Sequence, residues 1–179
     1  LDIIVMLDIS RSMDAEDLAP SRLKKAKKSI QTLLDQLSGD RVGIIAFAGS
    51  AALIVPLTSD YEMIKTSLSN IDTTLISSQG TAFATAFETA LEAMNRGAET
   101  KGSEQQRSNI FILMSDGENH QRKDLEAVDE IVKSGGIIYA IAFGTEKGVP
   151  IPARDASGVL KGYKRDLSGN PILTKINAD

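Results

Sequence analysis

The chain contains no cysteine among its 179 residues. This absence excludes a disulfide framework, a thiolate metal site and a cysteine nucleophile, and it leaves the redox compartment undetermined. The chain also lacks an excess of positive charge, since its formal net charge at pH 7 is -4. We therefore expect no nucleic-acid partner, because phosphate binding needs clustered lysine and arginine side chains.

A long apolar run is missing as well. No stretch approaches the roughly 20 apolar residues that a membrane-spanning helix needs. The one basic cluster, between Lys24 and Lys28, alternates with apolar residues at helical spacing. This pattern is typical of the solvent-exposed face of an amphipathic helix. The chain opens at Leu1, without an initiator methionine and almost directly on a strand. We therefore expect it to be part of a longer protein, with any membrane anchor outside this chain.

What the chain does contain is typical of one soluble globular domain, with 42% hydrophobic and 25% charged residues. Five apolar runs have the length of a strand. Four of them are continuous rather than alternating, as in strands buried on both faces of a parallel sheet. The five runs are Ile3–Leu7, Val42–Phe47, Ala51–Leu57, Ile110–Met114 and Ile137–Phe143.

Amphipathic segments lie between these strands, and they predict helices. Alternation of strands and helices indicates an α/β fold with a doubly wound, Rossmann-like, mostly parallel sheet and helices on both faces. The short link from Phe47 to Ala51 predicts a tight hairpin, so the strand Ala51–Leu57 is expected to be antiparallel and at an edge. The predicted helices are Pro20–Leu37, Tyr61–Ser69, Thr81–Met94 and Lys123–Lys133.

The last part of the chain differs in composition, being rich in glycine, proline and charge from Gly144 to Asp179. Its turn signal, Leu167–Asn170, predicts a hairpin between short strands near Leu160–Arg165 and Ile172–Ile176. We expect one domain over residues 1–179, with a core over 1–144 and an extension with a β-hairpin over 145–179.

Polar side chains follow the predicted strands where an open α/β sheet binds its ligands, beyond the carboxyl ends. Asp8, Ser10 and Ser12 follow the first strand, Asp116 follows the fourth, and Thr81 follows Gly80 in the loop before a helix. Each alone is typical of a turn or a helix cap. Together, at strand ends that should be neighbours, they favour a metal site.

These residues offer only oxygen ligands, the kind that a hard divalent cation prefers. Mg²⁺ takes near-octahedral geometry at roughly 2.0–2.1 Å and keeps several waters. The carboxylates could act on the ion by accepting hydrogen bonds from those waters. The pattern therefore predicts Mg²⁺, with Mn²⁺ or Ca²⁺ as alternatives, and an open position on the ion could accept a carboxylate from a partner.

The spacing Asp8-Ile9-Ser10-Arg11-Ser12, with the later Thr81 and Asp116, resembles the metal-ion-dependent adhesion site (MIDAS) of von Willebrand factor A (VWA) domains. The resemblance implies that Ser10, Ser12 and Thr81 reach the cation directly, while Asp8 and Asp116 act mostly through water. It also implies the strand order 3-2-1-4-5, which the sequence alone does not predict, and a non-enzymatic role in binding a partner's Asp or Glu.

Further stretches resemble the bacterial BatA and BatB aerotolerance membrane proteins: Asp8–Asp17, 20–23, 40–43, 46–49 and 148–152. That resemblance implies a soluble domain associated with the bacterial inner membrane through segments outside this chain, on an unspecified side. It implies as partners other Bat proteins and a MoxR-type AAA ATPase. It also implies a final helix and edge strand beyond Asp179.

Two other functions stay open at this point. One is a Mg²⁺-dependent phosphatase or hydrolase with Asp8 as nucleophile, although haloacid dehalogenase-like enzymes have a second aspartate where this chain has Ser10. The other is an interaction domain without metal, in which the site residues are caps and turns. Neither a P-loop nor a G-x-G-x-x-G turn is present, so nucleotide binding is not expected.

Two residues near Asp116 need a separate comment. His120 is the only histidine, and a lone histidine in a loop after a strand is more typical of the surface than of catalysis. Glu118 is expected to contribute only charge at the rim of the site.

Overall fold

The fold is built on a five-stranded sheet with the order β3-β2-β1-β4-β5. The computed structural model describes residues 1–78, 80–99, 107–118, 126–155 and 158–176. All neighbouring strands of this sheet are parallel except β2 and β3, which form the antiparallel hairpin. The predicted fold class and the strand order implied by the resemblance are therefore confirmed. The strands are β1 (Asp2–Asp8), β2 (Arg41–Phe47), β3 (Ala51–Thr58), β4 (Asn109–Ser115) and β5 (Ile137–Ala142).

In the part of the chain that the structure describes, four α-helices cover the sheet: α1 (Arg22–Gln36), α2 (Tyr61–Ser69), α3 (Phe83–Glu99) and α4 (Glu126–Lys133). Helix α1 begins after the predicted Pro20, because the Ser21 side chain caps it by accepting a hydrogen bond from the Lys24 amide. Helix α3 begins at Phe83, two residues later than predicted, and continues past Met94. The first three residues of the predicted Lys123–Lys133 helix lie outside the described residues.

The hydrophobic core has two halves, one on each face of the sheet. Alternate residues of β1 point to opposite faces, so Ile3, Val5 and Leu7 pack with α1 and α2. Ile4 and Met6 pack with α3 and α4 on the other face. A strand covered by helices on both faces needs an unbroken apolar sequence, which explains the continuous runs.

The edge strand β5 is less covered than the others. Its alternate side chains Ile137, Tyr139 and Ile141 are 47%, 54% and 42% exposed. Among the described residues, no helix is long and apolar enough to cross a membrane.

The extension after β5 forms two small antiparallel pairs. Strand β6 (Val149–Pro150) pairs with β9 (Leu173–Thr174), and β7 (Pro152–Arg154) pairs with β8 (Leu160–Tyr163). The predicted turn is present, since the Asp166 amide donates to the carbonyl of Asn170 at 2.9 Å.

The two strands that this turn connects meet next to it as predicted: Arg165 and Pro171 form an antiparallel bridge, and the Ile172 amide donates to the Lys164 carbonyl at 2.8 Å. Farther from the turn, both strands pair instead with the segment that precedes them.

Candidate metal centre

Asp8 ends β1 and is completely buried at the carboxyl edge of the sheet. Its Oδ1 accepts a hydrogen bond from the Ser10 amide at 2.8 Å, and its Oδ2 accepts one from Ser115 Oγ at 2.6 Å. Burial raises the pKa of Asp8 to about 7; the Ser115 and Ser10 hydrogen bonds lower this pKa, and the nearby negative charge of Asp116 raises it. A cation beside this carboxyl group would stabilise its ionised form.

Ser10 and Ser12 lie in the turn that follows, and their hydroxyl oxygens are 2.9 Å apart. The turn becomes a 3₁₀ helix at Arg11–Asp14, where the Met13 amide donates to the Ser10 carbonyl and both serines stay buried. This distance is that of a hydrogen bond between the two hydroxyls. The turn thus brings two neutral oxygen ligands to one point beside Asp8, the kind of ligand that a hard divalent cation takes.

Thr81 reaches the same edge of the sheet through hydrogen bonds to the β2–β3 hairpin. Phe47 is the register partner of Asp8, and the carbonyl of the next residue, Ala48, accepts from the Ala82 amide at 2.8 Å. Gly80 has a φ of +114°, a conformation that side chains rarely adopt, and it directs the chain into the buried Thr81. The hydrogen bond from Ala82 thus holds the backbone next to Thr81 near the strand end at Phe47.

Asp116 follows the end of β4 and is also completely buried. Its Oδ2 accepts a hydrogen bond from Arg22 Nη1 at 2.8 Å, and its Oδ1 accepts one from the Glu118 amide at 3.2 Å. Gly117, at φ +81°, makes the turn between them. Asp8 and Asp116 therefore lie at the ends of neighbouring strands, and the hydroxyl of Ser115, which precedes Asp116, donates to Asp8.

Arg22 is the main residue of the site that sequence reasoning did not identify as functional. Its side chain is completely buried and binds Asp17 through Nε and Nη2, both at 2.8 Å, in addition to Asp116. Burial works against its charge, but the hydrogen bonds of Asp17 and the charges of Asp116 and Asp17 raise the pKa of Arg22 overall. The guanidinium is thus the fixed counter-ion of the Asp116 carboxylate.

A signal for Arg22 was present in the sequence. The buried positions of α1 include 22, 26, 30 and 34, so Arg22 occupies a place on the apolar stripe, whereas the lysines lie on the wet face. A charged residue on an apolar stripe needs a buried partner of opposite charge.

The extension also contacts the site. The hydroxyl of Thr174 in β9 makes two hydrogen bonds there. It accepts one from Arg22 Nη1 at 2.9 Å and donates one to Glu118 Oε1 at 2.8 Å. Glu118, expected to be only a rim charge, therefore holds the extension against the site.

The five predicted residues lie at one end of the sheet. All are buried, and direct hydrogen bonds join Ser10 to Asp8 and to Ser12. In the described part of the chain, no three histidine, aspartate or glutamate side chains are grouped to hold a metal. A cation here would thus depend on hydroxyl ligands, which are the donors present. His120 falls outside the described residues.

The chain belongs to the von Willebrand factor type A domain family, whose model matches residues 3–118. Domains of this family are commonly metal-dependent interaction modules, and many bind a divalent metal at a MIDAS.

Two solved structures from Bacteroides are similar over almost the whole chain. The conserved hypothetical protein BatB of Bacteroides thetaiotaomicron is 38% identical, with a TM-score of 0.86 over 99% of this chain and 81% of its own. An aerotolerance-related membrane protein of Bacteroides fragilis is 35% identical, with the same TM-score over 99% of this chain and 82% of its own.

Curated relatives extend further than this chain. A UPF0353 protein of Nocardia farcinica is 31% identical over 169 residues, which are 87% of this chain and 49% of that protein. The chain therefore spans about half the length of the curated relatives that it matches.

Proposed function

We propose that this chain is a metal-dependent protein-interaction module that binds an Asp or Glu of a partner through one divalent cation, with Mg²⁺ as the resident ion. The observation that carries the proposal is the pair of buried hydroxyls, Ser10 and Ser12, held 2.9 Å apart beside the buried Asp8. Ser10, Ser12 and Thr81 would bind the ion directly, and Asp8 and Asp116 would bind its waters. When bound, the ion supplies a Lewis-acidic contact for a carboxylate.

The protein residues are suited to keep this contact available. Asp8 Oδ1 and Oδ2 are engaged by Ser10 and Ser115, and one oxygen of Asp116 is held by Arg22. Carboxylates held in this way are less free to move into a ligand position, which leaves the ion with neutral hydroxyls and a greater need for an external anion.

The same contacts argue against the phosphatase alternative. A nucleophilic aspartate must present an oxygen to its substrate. Asp8 is completely buried and both of its oxygens already accept hydrogen bonds. We therefore propose that the chain is not an enzyme.

The similarity to BatB and to an aerotolerance-related membrane protein supports a proposal for the cellular setting. We propose that residues 1–179 form one domain of a Bat-type complex at the bacterial inner membrane. Its partners would include other Bat proteins and a MoxR-type AAA ATPase.

The first test is a Mn²⁺ titration read by water-proton relaxation, which reports the bound ion together with its remaining waters. We expect saturable binding by the wild type and at least about tenfold weaker binding by Ser12→Ala, because a direct ligand is lost. Ser29→Ala is the matched control, since Ser29 donates only to a backbone carbonyl of α1 and should leave binding unchanged.

Acetate is the probe for the partner carboxylate. Its addition to the Mn²⁺ form should reduce the relaxation enhancement as a carboxylate replaces water. Equal binding by the wild type and Ser12→Ala would contradict the metal site. Hydrolysis of p-nitrophenyl phosphate that disappears in Asp8→Asn would favour the enzyme instead.

A further inference from the structure

A second feature lies beside the candidate metal centre: a cavity of about 670 Å³. It lies between the 3₁₀ helix at Arg11–Asp14, the segment 72–74 and the β7–β8 hairpin. Its volume is within the range of about 300–1,000 Å³ that is usual for ligand sites. Arg11, which stands between the two serines of the metal site, is part of its wall, so the cavity and the metal site are adjacent.

Two cations in the wall of this cavity form no ion pair within the described part of the chain. Within the described residues, neither Arg11 nor Lys164 has a carboxylate within 4.0 Å, although Lys164 is half-buried. The pKa of Lys164 is lowered, first by burial and then by the positive charge of Arg11, while Asp14 raises it. The two positive charges therefore repel each other across the cavity.

The other charged groups of the wall have partners. Arg154 forms an ion pair with Glu16, and Asp155 forms one with Lys161 at 3.2 Å.

The two remaining carboxylates of the wall are also engaged. Asp14 accepts from Thr73 Oγ1 at 2.7 Å, and Asp72 accepts from Thr74 Oγ1 at 2.6 Å. These hydroxyls leave both carboxylates charged but occupy an oxygen of each. Among the described residues, Arg11 and Lys164 are thus the charged side chains of the wall without an ion pair or a side-chain hydrogen bond, and an anionic ligand would supply one.

We propose that this cavity binds a second carboxylate of the partner, on the same peptide segment whose first carboxylate completes the metal coordination. This inference rests on the proposed function and specifies the partner as an extended segment with two acidic residues. Arg11 and Lys164 bind the second carboxylate, and the β7–β8 hairpin forms the outer wall of the groove. Because Arg11 directly follows Ser10, the two acidic residues lie within a few residues of each other.

Capped peptides test the second carboxylate. Each has one aspartate in an alanine and glycine background, or two aspartates separated by one, two or three residues. Their affinities for the Mn²⁺-loaded protein are measured by titration calorimetry. At one spacing, the second aspartate should tighten binding about fivefold, as expected for two partly exposed and therefore weak ion pairs.

The variant Arg11→Gln/Lys164→Gln should lose this gain. It should bind the one-aspartate peptide as the wild type does, and it should bind Mn²⁺ equally or slightly more tightly, because two repelling charges are removed. The control is Lys25→Gln/Lys28→Gln, which removes the same charge from exposed positions of α1 and should keep the gain.

Two results overturn the inference alone: no gain from the second aspartate at any spacing, or a gain that survives in Arg11→Gln/Lys164→Gln. In both cases Mn²⁺ and the one-aspartate peptide still bind, so the proposed function stands. Failure of the wild type to bind Mn²⁺ overturns both.

Discussion

Arg22 neutralises two carboxylates from distant parts of the chain, Asp17 and Asp116. Removing one member of such a buried group lowers the free energy of unfolding by about 3–5 kcal/mol, because it leaves an uncompensated charge in the protein interior. The arginine thus supplies a fixed positive charge beside the buried carboxylate of Asp116.

Asp17 makes this arrangement sensitive to acid. Burial raises its pKa, but hydrogen bonds from Arg22 and Thr145 outweigh burial and lower the pKa from 3.8 to about 2. A carboxyl group with a lowered folded-state pKa stabilises the fold above its unfolded pKa, and this stability is lost as the pH falls through its folded pKa. The affected window is therefore about pH 4 to 2, and the contribution is about 2 kcal/mol.

We predict that the difference in free energy of unfolding between the wild type and Asp17→Asn is largest above pH 4 and shrinks by about 2 kcal/mol toward pH 2. Urea unfolding at a series of pH values measures it. Other titrating groups, including Asp8, affect both proteins alike and so cancel in the difference. A difference that does not change with pH would contradict this account.

At the scale of elements, the β2–β3 hairpin depends on a close approach at Gly43. The register shifts here: Val42 pairs with Thr58 and Ile44 with Val55, so Pro56 and Leu57 lie opposite one residue of β2. Pro56 cannot donate to the ladder and is tolerated in this irregular edge strand.

We predict that Gly43→Ala destabilises the protein by about 1–3 kcal/mol through overpacking. A Cβ at this position would lie 2.7 Å from Ile4 Cδ1 and 3.2 Å from the Val55 carbonyl oxygen. Thermal or urea unfolding measures the effect.

Gly148→Ala is the control for this prediction, because its Cβ would make only ordinary contacts, the nearest at 3.6 Å from Leu173. The control should stay within about 0.5 kcal/mol of the wild type. Equal stability of the two variants would show that the close approach at Gly43 does not matter.

At the scale of the whole molecule, the extension is fastened to the metal-site end of the sheet by polar contacts. Thr174 joins Arg22 to Glu118, and Thr145 donates from its amide and hydroxyl to Asp17 at 2.8 and 2.9 Å. The β7–β8 hairpin that walls the cavity is therefore positioned by the same residues that hold Asp116.

We predict that Thr174→Val loosens the extension while Thr174→Ser does not. Valine keeps the volume but removes the hydroxyl, which leaves Arg22 and Glu118 short of a partner and lowers the free energy of unfolding by about 1–3 kcal/mol. Hydrogen exchange should become faster at the amides of Ile151, Lys164 and Ile172, and stay unchanged in β1. Equal exchange in the valine and serine variants would contradict the role of the hydroxyl.

The local pattern of the sequence was sufficient to predict the elements. Apolar periodicity located all five sheet strands and the helices to within a few residues. A helix or strand that is buried on one face has apolar residues at regular intervals, and a strand buried on both faces has a continuous apolar run. The candidate site residues could also be selected from the sequence, since Asp8, Ser10 and Ser12 lie on one turn. Their grouping with Thr81 and Asp116 into one metal site stays a prediction, which followed from the general rule that ligands bind beyond the carboxyl ends of strands.

The strand order came from the resemblance rather than from periodicity, which records which faces are buried but not which strands are neighbours. The tertiary structure alone decided the partners of Arg22, one of which is 94 residues away, and the pairing of β8 and β9 with the segment before them. Such contacts depend on what folding brings together. The amino-acid sequence thus determined the strands, the helices and the oxygen-bearing side chains that a cation could use. Only the folded chain determined which charged side chains form ion pairs.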